Sequence, residues 1–535
     1  MDQRKSLQDV VSQLQKILST PGLPTSSTVP DKASSRPALI LPQDTASLDD
    51  LQSKADSSSP LANHTGDGSD SIAQLASHLR AAILPYLNLA SLSPNYYGFV
   101  TGGATPAALL GDFLASIYDQ NVHVHLPNET ISTTLEVVTL NLLTQFFRLP
   151  KDWSLGPSSS GGGVFTTGAT ASNILGLALG REYVLRQALL RKGIPGSADA
   201  SCGEYGLAEL LLRVGASKIQ VLSTLPHSSI AKAASVLGIG RRNVVSIATA
   251  HSSSDGDDDS LRIDLERLRT EAQRTDVLNI LAVSVGEVNT GRFATDSLDA
   301  MRQLREICDE YGLWMHVDGA FGLFGRVLPV EDADFEELVN GVEGLELADS
   351  ITGDCHKLLN VPYDCGVFFT RHKNLSEDVF GNPGAAYLKA AAGDGIQSPL
   401  NIGLENSRRF RALPVYCTLM AYGRDGYVEM LKRQIGLARR VTQWLMRDGR
   451  FEVLPRGGGQ KEILAKTYIV VLFRLRNDEK NRDFVRKVNA TGRIYMSGTV
   501  WEGKPAGRIA VSNWQADVER DGHLIESVLD EVAGH

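Results

Sequence analysis

Cysteine is scarce in this chain, and the few present are not spaced to pair. Five occur in 535 residues, at Cys202, Cys308, Cys355, Cys365 and Cys417, an odd number with no CxxC among them. That pattern excludes a disulfide framework or a zinc centre as the basis of the fold, and a reducing, cytoplasmic setting is expected. Long apolar runs are also missing. The opening MDQRKSLQDVVSQL lacks the core of a signal peptide, and no later stretch offers a charge-free span of membrane length, so no membrane partner is expected. Basic blocks are absent too: 53 Lys and Arg stand against 62 Asp and Glu. This balance excludes nucleic acid as the natural partner. The one dense acidic run, HSSSDGDDDS, lacks the ligand spacing of a calcium loop around its glycine; it reads as a solvated loop, and no metal is expected.

What is present reads as a large enzyme. Apolar residues recur at helical spacing from Leu7 to Leu18. Residues 19–70 are then rich in Ser, Pro, Asp and Thr and read as a flexible linker. Patterning resumes over Ile72 to Leu87, Gly102 and Gly103 break it, and a helix is predicted over Pro106 to Tyr118. Strands and helices alternate from about Asn95 to Phe369, which implies an α/β domain with a mainly parallel sheet. Beyond Pro414, amphipathic helices with the strands YIVVLFRL and GRIAVSNW suggest a smaller α+β domain. The expected division is 1–70 for the N-terminal helix and linker, 71–400 for the large domain and 401–535 for the small one.

The chemistry concentrates between Trp314 and Gly366. WMHVDGAFGLF carries a short apolar run into Asp318, as a buried strand delivering a carboxylate to the sheet's carboxyl edge would. ADSITGDCHKLLNVPYDCGVFF sets His356 and Lys357 among apolar residues, where an unpaired ammonium is costly to bury, so this lysine needs a partner or a covalent fate. Alone, HK is a common surface dipeptide, and a lone aspartate reads equally as a helix cap or an ion-pair partner. Together, with VDGAF before and PYDCG after, the two segments resemble the group II pyridoxal-phosphate decarboxylases, among them the aromatic amino acid, glutamate and aspartate decarboxylases.

The resemblance, which covers roughly residues 70–530, implies a fold-type I enzyme and pyridoxal 5'-phosphate as cofactor. It implies that Lys357 joins the cofactor aldehyde covalently and that Asp318 pairs with the pyridinium nitrogen, whose proton keeps the ring an electron sink. By the same likeness Ala169 and Thr170, at a Gly/Thr-rich helix start, belong to the phosphate cup. His227 stacks on the pyridine face, His356 stands close to the cofactor, and Ser407 sits where a neighbouring subunit's backbone approaches the phosphate. Phe99, Val100 and Thr101 line the substrate cleft, and Arg408 holds the substrate α-carboxylate with its planar fork. Tyr387, in the Gly/Ala-rich GNPGAAYLKAAAGDG, supplies a proton after carbon dioxide leaves, where phenylalanine would have indicated aldehyde formation. Gly286, Glu287 and Val288 replace the GTT of many relatives, with Asn289 as a substitute cofactor contact.

The expected activity is α-decarboxylation of an L-amino acid by a homodimer. The early helix is then either an arm swapped across the dimer or a frayed tail. In QNVHVHLPNET, Asn121, His123 and His125 alternate as on an extended strand; read as one face of the cleft they favour an acidic substrate, read as surface histidines they favour none. An aromatic substrate is the alternative. Aminotransferase or carbon–carbon lyase chemistry and an inactive scaffold subunit are the readings of other classes.

Overall fold

The computed structural model describes residues 3–18, 40–42, 46–57, 69–194, 200–249, 261–382 and 395–534. The first helices are α1 (Gln3–Leu18), α2 (Leu48–Ser57), α3 (Ser69–Ala82), α4 (Pro106–Tyr118), α5 (Ser132–Phe146) and α6 (Ala169–Arg191). α2 falls inside the stretch read as linker. Its LDDLQSKADS has two acids in the first turn, and Ser47 forms a reciprocal cap with Asp50, so local capping outweighs a polar composition. The acidic run lies outside the described residues.

The strands among the described residues are, in chain order, β1 (Tyr96–Tyr97), β2 (Gly162–Thr166), β3 (Lys218–Ser223), β4 (Val244–Ser246), β5 (Val277–Ser284), β6 (Trp314–Asp318), β7 (Ser350–Asp354), β8 (Gly366–Thr370), β9 (Phe451–Leu454), β10 (Val470–Leu475), β11 (Tyr495–Trp501) and β12 (Lys504–Ala510). Seven build one sheet in the order β2-β8-β7-β6-β5-β3-β4. β3 through β7 pair in parallel, and β8 runs against both β7 and β2. The inner strands are buried on both faces, which is why WMHVD and GVFFT read as unbroken apolar runs rather than alternations.

β9 to β12 form a second, largely antiparallel sheet, joined by β1 in parallel with β11. A strand from before the large sheet is therefore stitched into the C-terminal one. This places residues 96–105 between the two sheets, where they form a wall of the site.

Candidate functional site

Strand polarity gathers the site at one edge. β2, β3 and β5 to β7 all end there, with Ser284 in register with Asp318, Asp318 with Thr352, and Asp354 with Gly366. Crevices at the carboxyl ends of open parallel sheets are where such folds bind ligands.

Asp318 is only 7 % exposed and no cation pairs with it among the described residues. Its Oδ2 accepts from Asn173 Nδ2 at 3.0 Å, and its Oδ1 is 3.4 Å from the Ala320 amide. Asn173 is itself oriented. Its Nδ2 also donates to Ser229 Oγ (2.9 Å), and its Oδ1 meets His316 Nε2 at 2.9 Å. His316 is fully buried, and that burial pushes its pKa down to about 3; the ring is neutral. Asn173 Oδ1 can only accept, so the ring's one proton sits on Nε2 and Nδ1 accepts from Ser350 Oγ at 2.8 Å. Trp314 Nε1 donates to the same hydroxyl at 3.2 Å. A buried relay thus runs from Trp314 through Ser350, His316 and Asn173 to Asp318.

A branch of the relay reaches His227. This residue caps the helix Ser228–Val236, its Nδ1 accepting from the Ser229 amide at 3.2 Å and lying 2.7 Å from Ser229 Oγ. With Nδ1 engaged, the exposed ring is fixed at the sheet edge. Asn173, His316 and Ser350 are positions of the candidate site that sequence reasoning missed. The signal was present in WMHVD, a histidine inside a strand buried on both faces.

β7 ends in Asp354 and passes directly into the short helix Cys355–Leu358, which carries Lys357. Lys357 Nζ is 2.8 Å from Asp354 Oδ2 and 5.7 Å from the Phe321 ring centroid. Asp354 Oδ1 accepts from the Ala169 amide at the start of α6 at 2.6 Å. His356 is held by a mutual pair with Cys365, its amide to Cys365 O at 3.0 Å and the Cys365 amide to its Nδ1 at 3.3 Å. Its ring packs 4.5 Å from that of Tyr363, and burial lowers its pKa while Asp354 opposes the shift.

The wall formed by residues 96–105 closes on this turn. A Cβ on Gly102 would fall 1.9 Å from the Lys357 carbonyl oxygen, so only glycine permits the approach. Asn360 Nδ2 ties Gly102 O (2.7 Å) to Ser512 O (3.0 Å), and Thr101 is buried beside it. Arg508 of β12 lies beneath the wall, donating from Nε to Val288 O (2.6 Å) and from Nη1 to Phe99 O (2.8 Å). Its Nη2 has no hydrogen-bond partner among the described residues. Burial lowers the Arg508 pKa to about 10, with Glu287 opposing. Phe99 stands exposed at the rim.

Several expected roles do not match these positions. Arg408 is not available to a substrate: its side chain has no exposed area, and it donates to Glu136 Oε1 (2.8 Å) and Oε2 (3.2 Å), Val122 O (2.7 Å) and Phe165 O (2.8 Å). SRRFR reads as a ligand-binding cluster because a sequence does not reveal that Glu136, in the second turn of α5, consumes the charge. Nor do Asn121, His123 and His125 share a strand face. Asn121 Oδ1 accepts from the Arg408 amide (2.9 Å), His123 Nδ1 folds back on Asn121 O (3.0 Å), and buried His125 lies against Thr133 (2.7 Å). Glu287 caps its own loop through Asn289 N and Thr290 N, while Asn289 Oδ1 accepts from Thr499 of β11; the Asn289 side chain is taken up within the protein. Ser407 is exposed, and Tyr387 lies outside the described residues.

The donor set fits pyridoxal phosphate. A buried carboxylate lacking a cation suits a protonated ring nitrogen, the α6 N-terminus suits a phosphate, and Lys357 stands between them along the sheet edge. The fold and site define a fold-type I pyridoxal-phosphate enzyme. The family described as "Pyridoxal-dependent decarboxylase conserved domain" matches residues 57–465, and the chain belongs to it. It is 25% identical over 452 residues to the aromatic-L-amino-acid decarboxylase of Catharanthus roseus, covering 82% of this chain and 81% of that one. It is 27% identical over 454 residues to L-tyrosine/L-DOPA decarboxylase 2 of Lophophora williamsii, covering 78% and 76%. Among solved structures, Oryza sativa TDC with pyridoxal phosphate and tryptamine matches with a TM-score of 0.72 at 22% identity, over 99% of this chain and 96% of that one. Mouse CSAD matches at 0.73 and 18%, over 98% of each. The chain is a pyridoxal-phosphate-dependent amino acid decarboxylase. No described helix is long and apolar enough to cross a membrane.

Proposed function

We propose that this enzyme decarboxylates an aromatic L-amino acid to its primary amine, acting as a homodimer. The composition of the wall carries the side-chain assignment: exposed Phe99 and partly exposed Val288 present apolar surface at the rim, whereas the polar residues that favoured an acidic substrate are turned to internal contacts. The aromatic-acid relatives agree with this reading.

When bound, pyridoxal phosphate supplies the electron sink that takes up the bonding pair as carbon dioxide departs. Lys357 is the residue assigned to hold it, with Ala169 and Thr170 at the phosphate end. Asp318, kept in one orientation by Asn173, holds the proton on the ring nitrogen, and His227 supports the ring from its capped position. Arg508, rather than Arg408, presents an unused Nη2 beside Phe99 for the substrate carboxylate. Tyr387 is assigned the proton delivered to Cα in place of the lost carboxylate.

The homodimer is supported by α4. Leu110, Phe113 and Ile117 lie at helical spacing and are all exposed, an apolar stripe that a second copy would cover. Incubation with an equimolar amino-acid mixture, with amines and carbon dioxide measured together, tests the reaction. Tyramine or tryptamine with stoichiometric carbon dioxide is expected; β-alanine or 4-aminobutanoate as the product would overturn the aromatic assignment. Sedimentation of Phe113→Asp should show monomer where the parent is dimeric, and an unchanged dimer would remove α4 from the interface.

A further inference from the structure

Asp354 holds both groups that a phosphorylated aldehyde has to engage. Its side chain is 4 % exposed; Oδ2 is 2.8 Å from Lys357 Nζ and 3.7 Å from His356 Nε2, while Oδ1 accepts from the Ala169 amide at 2.6 Å. That amide opens α6, a helix of 23 residues whose positive end favours a single anion at its first turn. A buried carboxylate therefore already occupies a donor of the phosphate cup. We propose that Asp354 is a positioning residue that acts as an internal stand-in anion, competing with the cofactor phosphate for the Ala169 amide and thereby setting how tightly the cofactor is held.

The inference follows from the number of donors and from charge. One backbone N–H in good geometry serves one strong acceptor, and two anions brought to the same helix terminus repel. Loading the cofactor requires Asp354 to yield the amide as well as Lys357. The outcome is an enzyme whose occupancy follows the cofactor supply and which sheds cofactor on dilution.

Asp354→Asn separates charge from shape, since it keeps an oxygen for the Ala169 amide at the same size. Full-length protein freed of cofactor would be titrated with pyridoxal phosphate and, separately, with pyridoxal, which lacks the phosphate, reading bound cofactor by absorbance. The expected result is pyridoxal-phosphate binding tighter than wild type by on the order of tenfold, with pyridoxal, which needs Lys357 released but not the Ala169 amide, gaining clearly less. Asp354→Ser, smaller and also uncharged, should move in the same direction, and circular dichroism of both cofactor-free variants checks the fold. If neither variant binds pyridoxal phosphate more tightly, or if pyridoxal gains as much, the proposal fails. Wild-type binding in the same titration reports separately on the cofactor assignment.

Discussion

Replacing Gly176 by alanine tests the buried relay at its most constrained point. Gly176 lies within α6, where alanine ordinarily gains about 1 kcal/mol over glycine. Here the added Cβ would stand 2.4 Å from both Cε1 and Nδ1 of His316, whereas carbon contacts are favourable only from about 3.5 Å. The ring has no exposed surface, and its nitrogens are held at 2.8 and 2.9 Å by Ser350 and Asn173. It can retreat by the required ångström or so only by stretching those bonds. Overpacking costs about 1–3 kcal/mol, and a buried polar group left unpaired costs about 1–3 kcal/mol more. Against the helical gain, a net loss of about 1–5 kcal/mol is expected. The displacement passes through Asn173 to Asp318, so the variant should also hold cofactor less tightly. Urea unfolding of the cofactor-free protein and a cofactor titration read the two effects. A variant at least as stable as its parent, with unchanged cofactor affinity, would refute the relay.

The same histidine gives a pH signature. Its pKa falls from an ordinary 6.5 to about 3 on burial, so between those values the unfolded chain binds a proton that the folded chain does not. Stability from this residue is complete above about pH 6.5 and is lost as pH falls towards 3, at up to about 1.4 kcal/mol per pH unit. His316→Gln should flatten that part of the stability profile, and an unchanged acid limb would contradict the assignment. The two arginines should separate cleanly. Arg408→Met strands Glu136 without its partner and should destabilise the fold by about 3–5 kcal/mol. Arg508→Lys should instead raise KM with a small change in unfolding midpoint; an unaltered KM would remove Arg508 from the substrate site.

Much of the site was legible in the sequence because its chemistry is written locally. Asp318 was read as the end of an apolar strand and Lys357 was singled out by its apolar setting and the resemblance; the structure puts Lys357 just past β7, at the same sheet edge. The helix expected over Pro106 to Tyr118 after the break at Gly102 and Gly103 is α4, and the structure adds Thr105 as its cap ahead of the first-turn proline. What sequence could not convey was long-range pairing. Arg408 and Glu136 are 272 positions apart, and Arg508 meets Phe99 across 409, so which arginine is spent and which is available depends on tertiary folding. The polar segment 120–130 failed for a related reason. Alternation predicts a shared face only on a strand, and here the Arg408 side chain and backbone bind Val122 and pin the loop instead. Asp354 was visible in GDCHK, but its contact with Ala169 spans 185 positions.

The covalent role of Lys357 is most directly tested by reducing the cofactor-loaded enzyme with borohydride, which fixes the cofactor to the amine that holds it, followed by proteolysis and peptide mass spectrometry. One modified peptide, carrying the cofactor on Lys357, is expected. Label on a different lysine, or no label on protein that still decarboxylates, would contradict the site built around Asp318 and the end of β7.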